Sequence, residues 1–135
     1  MDTVSTEDRS RIMRAVRREG TSPEIKVRKA AHGLGYRFRL HRKDLPGSPD
    51  LVFPKHKLCV FVHGCFWHRH LGCKRASTPK SNLDYWRRKF EENKRRDLRK
   101  AEELRALGWR VEVIWECQTL DPDLLRSIIL DCIDR

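Results

Sequence analysis

The run Leu58-Cys59-Val60-Phe61-Val62 is apolar at every position, and this continuity constrains the fold more than any other stretch of the chain. A strand with one wet face alternates polar and apolar residues, whereas an unbroken run belongs to a strand covered on both faces. Helices must therefore lie on either side of it. Ser22-Pro23-Glu24 opens one, with an N-cap residue, proline at the first helical position and an acid in the first turn. Val27, Ala30, Ala31 and Leu34 continue it at helical spacing until Gly33 or Gly35 ends it. Tyr36, Phe38 and Leu40 alternate with Arg37, Arg39 and His41, which predicts a half-buried strand over 36–41 with a basic outer face.

Leu45-Pro46-Gly47-Ser48-Pro49 is a turn, Asp50-Leu51-Val52-Phe53 resumes a strand, and residues 54–57 turn back into the apolar run. Asn82 or Ser81 caps a long helix reaching about Leu107, with Phe90, Leu98, Ala101, Leu104 and Leu107 as its buried stripe. Trp109, Val111, Val113 and Trp115 alternate as a further strand. Asp121-Pro122-Asp123 opens a last helix that buries Leu124, Leu125, Ile128, Ile129 and Cys132. This order predicts a mixed α/β domain with a small sheet covered by helices.

A chain of 135 residues suits a single domain. Its formal net charge of +11 is unevenly spread: residues 1–83 carry 18 basic and 7 acidic side chains, and residues 106–135 carry 3 and 6. Such asymmetry favours a nucleic acid over a lipid surface as partner. The expected helix over 5–18 displays Arg9, Arg11, Arg14, Arg17 and Arg18 but has a thin apolar side of Ile12, Met13, Ala15 and Val16. It either packs as a terminal amphipathic helix or lies on DNA. The polar start has no signal-peptide core and no run approaches a membrane span, so a cytoplasmic protein is expected. In that compartment five cysteines are read as metal ligands and buried thiols rather than disulfides.

Directly after the apolar run comes Val62-His63-Gly64-Cys65-Phe66-Trp67-His68-Arg69-His70-Leu71-Gly72-Cys73. Cys65, His70 and Cys73 provide three soft ligands in one loop, one short of a tetrahedral zinc. His63, His68 and Cys117 are the candidates for the fourth, Cys117 being well placed if its strand lies beside 58–62. A closed Cys3His shell would make the metal structural. Cys59 and Cys132 lie in apolar patterns and read as buried small hydrophobes.

If the strands on either side of 54–57 pair antiparallel, Asp50 and His63 meet at one edge of the sheet. A carboxylate there, with the main-chain carbonyl of Val62, suits Mg²⁺, and neutral His63 or His68 suits proton transfer from water. Phe66, Trp67 and Trp86 are suited either to a core or to wedging between bases. Glu24 alone has an adequate structural role at its helix N-terminus.

Pro49-Asp50, the block His63-Gly64-Cys65-Phe66-Trp67-His68, residues 86–97, and Gly108-Trp109-Arg110-Val111 through Trp115-Glu116-Cys117 resemble the very short patch repair (Vsr) endonucleases over nearly the whole chain. The resemblance implies a restriction-endonuclease-like fold, a mixed sheet flanked by helices, with a structural zinc loop. It also implies Mg²⁺-dependent nicking of one strand 5′ to the thymine of a T·G mismatch left by deamination of 5-methylcytosine. By the same resemblance, residues 1–135 form one mismatch endonuclease domain whose N-terminal arm, residues 1–20, contacts DNA. Asp50 and the carbonyl of Val62 would hold Mg²⁺, His68 would activate water, His63 would act on the phosphate, and Glu24 would be a supporting acid. Cys65, His70, Cys73 and Cys117 would hold Zn²⁺. Phe66, Trp67 and Trp86 would intercalate with Met13 entering from the other groove, and Lys89, Asn93 and Asp97 would read bases.

The expected setting is a bacterial, nucleoid-associated monomer acting on double-stranded mismatched DNA alongside mismatch-repair proteins. Two departures stand out: Val62 replaces the family threonine, and Arg69, Leu71 and Gly72 interrupt its histidine-rich run, lengthening the interval to Cys73 by one. The alternatives are a nuclease of broader mismatch or restriction-like specificity, and a zinc-stabilised DNA-binding module without catalysis. Intact Asp50, His63 and His68 count against the latter.

Overall fold

Two apolar faces on one sheet organise the molecule. The computed structural model describes residues 22–134, so Met13, the expected helix over 5–18 and the arm over 1–20 lie outside the described residues. The elements are helix α1 (Ser22–Gly33), strands β1 (Arg39–Leu40), β2 (Leu51–Phe53) and β3 (Leu58–His63), helix α2 (Leu83–Ala106), strand β4 (Arg110–Trp115) and helix α3 (Pro122–Asp134). The four strands lie in the order β1-β2-β3-β4, antiparallel except for the parallel pair β3 and β4. A parallel neighbour requires a crossover connection, and α2 lies within that connection.

The unbroken run at β3 has the meaning its composition predicts. Leu58 and Val60 join Leu51, Phe53 and Ile114 on one face, against Val27 and Ala31 of α1 and Leu125, Ile129, Cys132 and Ile133 of α3. Cys59 and Phe61 join Val52 on the other, against Leu104 of α2. Cys59 and Cys132 are buried thiols in these two clusters. Because strand residues alternate between faces, His63 follows Cys59 and Phe61 onto the α2 side.

Several expectations need correction. The strand over 36–41 shrinks to Arg39–Leu40, both exposed, and His41, in a left-handed backbone (φ 45°), stands at its C-terminal end. Tyr36 and Phe38 nevertheless pack on Phe53, with ring centroids 6.5 and 5.9 Å away. Leu98, Leu107 and Leu124 are 64%, 61% and 47% exposed rather than buried. In α2 only Phe90 and Leu104 are buried, so helical spacing overstates its apolar stripe. Asn82 precedes α2 without a side-chain cap, its main-chain carbonyl accepting from Trp86 N at 3.1 Å. Asp121, by contrast, accepts from the main-chain N–H groups of Asp123 and Leu124 at 3.0 and 3.4 Å, capping α3.

The turn before β2 is held tightly. Gly47 has φ 77°, and a Cβ there would lie 2.6 Å from Cδ of Lys100 on α2. Glycine thus lets the turn lie against α2 just ahead of Asp50.

Candidate active site and metal centre

The β2/β3 register sets the first part of the site. Leu51 faces Val60, so Asp50 lies beside the C-terminal end of β3, and its Oδ2 accepts the main-chain N–H of Val62 at 2.7 Å. Burial pushes the Asp50 carboxyl up to about 6, the hydrogen bond from Val62 opposes it, and the nearby charge of Glu24 adds to it. His63, at the end of β3, is buried. That burial, with His68 alongside, pushes its imidazole down to about 3, so it is neutral near pH 7.

The loop after β3 folds back so that the His68 ring stacks on His63, centroids 3.8 Å apart and planes within 8°. On its other side His68 Nδ1 lies 2.7 Å from Oδ2 of Asp97 on α2. Burial works to raise the Asp97 carboxyl, but the hydrogen bond with His68 and the charges of His63, His68 and Lys100 outweigh it and leave it below its ordinary value. An ionised carboxylate can only accept, so Nδ1 carries the proton in this pair and a neutral His68 presents Nε2 as a base. This carboxylate–imidazole–imidazole arrangement is suited to taking a proton from a water.

Glu24 enters from α1, only 2% exposed, paired with Arg28 at 3.3 Å and hydrogen-bonded to His41. Ligand atoms of Glu24, His41 and Asp50 all lie within 4.8 Å of one another. The sequence reading treated His41 as part of the basic outer face of a strand. Its place beside Asp50 follows from the pairing of Leu40 with Leu51, which no local pattern announces.

Cys65, His70, Cys73 and Cys117 form a second cluster, again with ligand atoms within 4.8 Å of one another. The parallel β3/β4 register, His63 opposite Trp115, brings Cys117 to the loop. His70 stacks on Trp115 at 4.3 Å, which orients its ring. Its Nδ1 lies 3.7 Å from Sγ of Cys65 and 3.4 Å from Sγ of Cys117. A tetrahedral zinc with ordinary bonds separates sulfur and nitrogen by about 3.5 Å, so this donor set fits such an ion. Burial raises the thiols of Cys65 and Cys117, so metal uptake must release protons.

Phe66, Trp67 and Trp86 gather with Phe90 into one half-buried aromatic cluster. Phe66 meets Trp67, Trp86 and Phe90 edge-on at 5.2, 5.5 and 5.4 Å, and the Arg69 guanidinium lies 4.2 Å from the Phe90 ring centroid. Of the residues expected to read bases, Lys89 is exposed, Asn93 donates to the main-chain carbonyl of Trp67 at 3.1 Å, and Asp97 holds His68. The sequence reading did not anticipate the last two partnerships. Among the described residues no helix is long and apolar enough to cross a membrane.

The two shifted groups have opposite consequences for acid stability. Between about pH 4 and 6 the folded chain keeps a proton on Asp50 that the unfolded chain releases, so this group favours folding as pH falls. Between about pH 6.5 and 3 the unfolded chain protonates His63 and the folded chain does not, so this group disfavours folding as pH falls. In urea unfolding from pH 7 to 4, His63→Asn is expected to flatten the acid loss of stability and Asp50→Asn to steepen it. Parallel slopes for both variants and the unaltered chain would contradict these shifts.

The fold is restriction-endonuclease-like. The catalytic domain of the homing endonuclease I-Bth0305I aligns over 83% of this chain and 93% of its own, with a TM-score of 0.55 at 21% identity. A family model described as DNA mismatch endonuclease Vsr matches residues 1–75. The type II nicking enzyme V.XorIIP of Xanthomonas oryzae is 52% identical over 98% of this chain and 97% of its own length. V.NmeAIP of Neisseria meningitidis is 39% identical over 93% and 89%, and DNA mismatch endonuclease Vsr of Escherichia coli 38% identical over 81% and 69%. The chain belongs to the Vsr family of DNA mismatch endonucleases.

Proposed function

We propose that this chain nicks one strand of duplex DNA 5′ to the thymine of a T·G mismatch, by hydrolysis that depends on a divalent cation, Mg²⁺ above all. The observation that carries this reading is the stack of His63 on the Asp97-held His68 beside Asp50, in a member of the Vsr family. Asp50 and the main-chain carbonyl of Val62 would hold Mg²⁺, an oxygen pair that suits a hard ion retaining waters and phosphate oxygens. When bound, such an ion polarises the phosphodiester and makes a coordinated water more acidic. Val62 can serve here because a carbonyl ligand needs no side-chain hydroxyl.

Asp97 keeps the His68 proton on Nδ1, so Nε2 takes the proton of the attacking water. Neutral His63 supports the His68 ring by stacking and offers its own N–H to the phosphate. Glu24 acts as a supporting acid behind Asp50. The Cys65, His70, Cys73 and Cys117 set would hold a structural Zn²⁺ that fixes the loop carrying His68.

Phe66, Trp67 and Trp86 would enter the base stack, Met13 from the opposite groove, and Lys89, Asn93 and Asp97 would face the bases around the mismatch. The rings first have to separate from one another, and Asn93 and Asp97 would approach DNA with their loop partners in place. Stacking contributes roughly 1–3 kcal/mol per base, enough to offset an unstacked step when several rings take part. The 135 residues would act as one domain and as a monomer in the bacterial cytoplasm, at the nucleoid, with residues 1–20 as a DNA-contacting arm and mismatch-repair proteins as partners.

The test is a nicking assay on matched, T·G and other mismatched duplexes with Mg²⁺ or EDTA. Cutting of one strand at T·G, abolished by EDTA, is expected. Binding without metal-dependent cleavage would overturn the enzyme reading, and equal cutting of matched DNA would overturn the mismatch reading.

A further inference from the structure

His41 is held at an energetic cost. Its backbone sits at φ 45°, a region that non-glycine residues enter only at a cost and that concentrates at functional sites. Two features hold it there: the Leu40 to Leu51 register, and the His41 main-chain N–H donating to the Asp50 carbonyl at 3.4 Å. The result is an imidazole turned inward from the sheet edge toward Glu24 and Asp50. Three separate pieces of chain, α1, the turn after β1 and the start of β2, thus deliver one ligand group each to a small, largely buried volume.

The convergence brings together more donors than the Glu24 and His41 pair alone, since Asp50 joins them. Glu24 already has the Arg28 guanidinium at 3.3 Å. Two carboxylates with one imidazole then make a donor set for a divalent cation. Oxygen ligands alone suit Mg²⁺, whereas an added imidazole shifts preference toward first-row transition ions, for which Mg²⁺ competes poorly as nitrogen donors accumulate.

We propose that Glu24 and His41 complete with Asp50 a mixed oxygen–nitrogen site that takes a divalent transition ion such as Mn²⁺ as well as Mg²⁺, with His41 as the residue that raises its affinity for the transition ion. This deepens the metal-dependent nuclease reading, on which it rests for its catalytic meaning. The site differs from the zinc cluster in lacking thiolates, and from the His63, His68 and Asp97 group in containing two carboxylates and one imidazole.

The experiment uses the full, zinc-loaded chain without DNA, titrated with Mn²⁺ and followed by electron paramagnetic resonance. Pulsed measurement of ¹⁴N coupling to the bound ion reads the ligand directly. Alongside it are His41→Gln, which keeps a polar side chain without the imidazole, and His68→Gln. The unaltered chain is expected to bind Mn²⁺ with a ¹⁴N coupling that persists in His68→Gln and vanishes in His41→Gln. Mn²⁺ affinity should fall about tenfold or more in His41→Gln, while Mg²⁺ affinity, read by competition, changes far less.

Absence of ¹⁴N coupling in the unaltered chain would overturn the proposal, as would coupling that survives in His41→Gln and is lost in His68→Gln. The nuclease reading fails separately. A His41-dependent coupling in a chain that nicks no duplex leaves the site standing and removes the catalytic reading, and Mg²⁺-dependent nicking without that coupling does the reverse.

Discussion

Replacing Asp50 by asparagine is expected to lower the nicking rate by about a thousandfold or more while leaving the chain folded. The two halves of this result have different causes. Asparagine keeps an oxygen able to accept the Val62 N–H, now 2.7 Å from Oδ2, so the end of β3 keeps its partner. It also removes a carboxylate that burial disfavours, so global stability near pH 7 should hold or rise slightly. What would be lost is a negative ligand for the proposed ion, and with it a charge stabilisation of several kcal/mol, about 4 corresponding to a thousandfold in rate. Single-turnover nicking of a T·G duplex, with a urea melt on the same preparation, separates the two halves. A variant that retains a tenth of the rate would remove Asp50 from the chemistry.

Replacing Cys117 by serine is expected to act in the opposite way, on the fold first. Cys117 would be the ligand that links the loop after β3 to the end of β4, since Cys65, His70 and Cys73 all belong to that loop. Without it the loop keeps three donors and the His70 stack on Trp115 but loses the link that a shared metal would make to the end of β4. Metal binding is folding free energy in such sites, so a loss of only ~3 kcal/mol would lower Tm by about 10 °C in a chain of this size. One equivalent of zinc should be lost as well, measured by metal analysis of the purified protein. The nicking rate should then fall through the misplaced His68 rather than through any direct contact. Unchanged zinc content and unchanged Tm would show that these four residues do not hold the metal.

The difference between these variants shows which parts of the site local sequence can reveal. The Cys65, His70 and Cys73 spacing is a pattern within nine residues, and an unbroken apolar run before it marks the central strand. Both are legible because nearby residues decide them. By spacing alone Cys117 is one of three open candidates, and the choice among them is a matter of which strand lies next to which.

Glu24, His41 and Asp97 are less visible still. Glu24 fits a helix N-terminus in full, His41 fits an alternating strand, and Asp97 fits a solvated helix face, so each has a sufficient local explanation that hides its tertiary partner. The errors at Leu98, Leu107 and Leu124 have the same root. Periodicity reports which residues share a helix face, not how far the neighbouring sheet extends beneath it, and α2 carries just two buried side chains. The resemblance to the Vsr endonucleases assigned Glu24 a role that its spacing did not, whereas it gave no hint of His41.

Helix α2 also acts as a measuring rod. Trp86, Phe90, Asn93, Asp97 and Leu104 follow one another at intervals of four, three, four and seven residues, which keeps them on one face over about 27 Å of axis. The ring nearest the aromatic cluster and the carboxylate that holds His68 are three turns apart on this single rigid element. Their separation is therefore counted in residues and cannot be adjusted by loop movement. Deleting one residue between Trp86 and Asp97 would turn one against the other by about 100°, so the ring and the carboxylate that holds His68 keep their phase only while that count is kept.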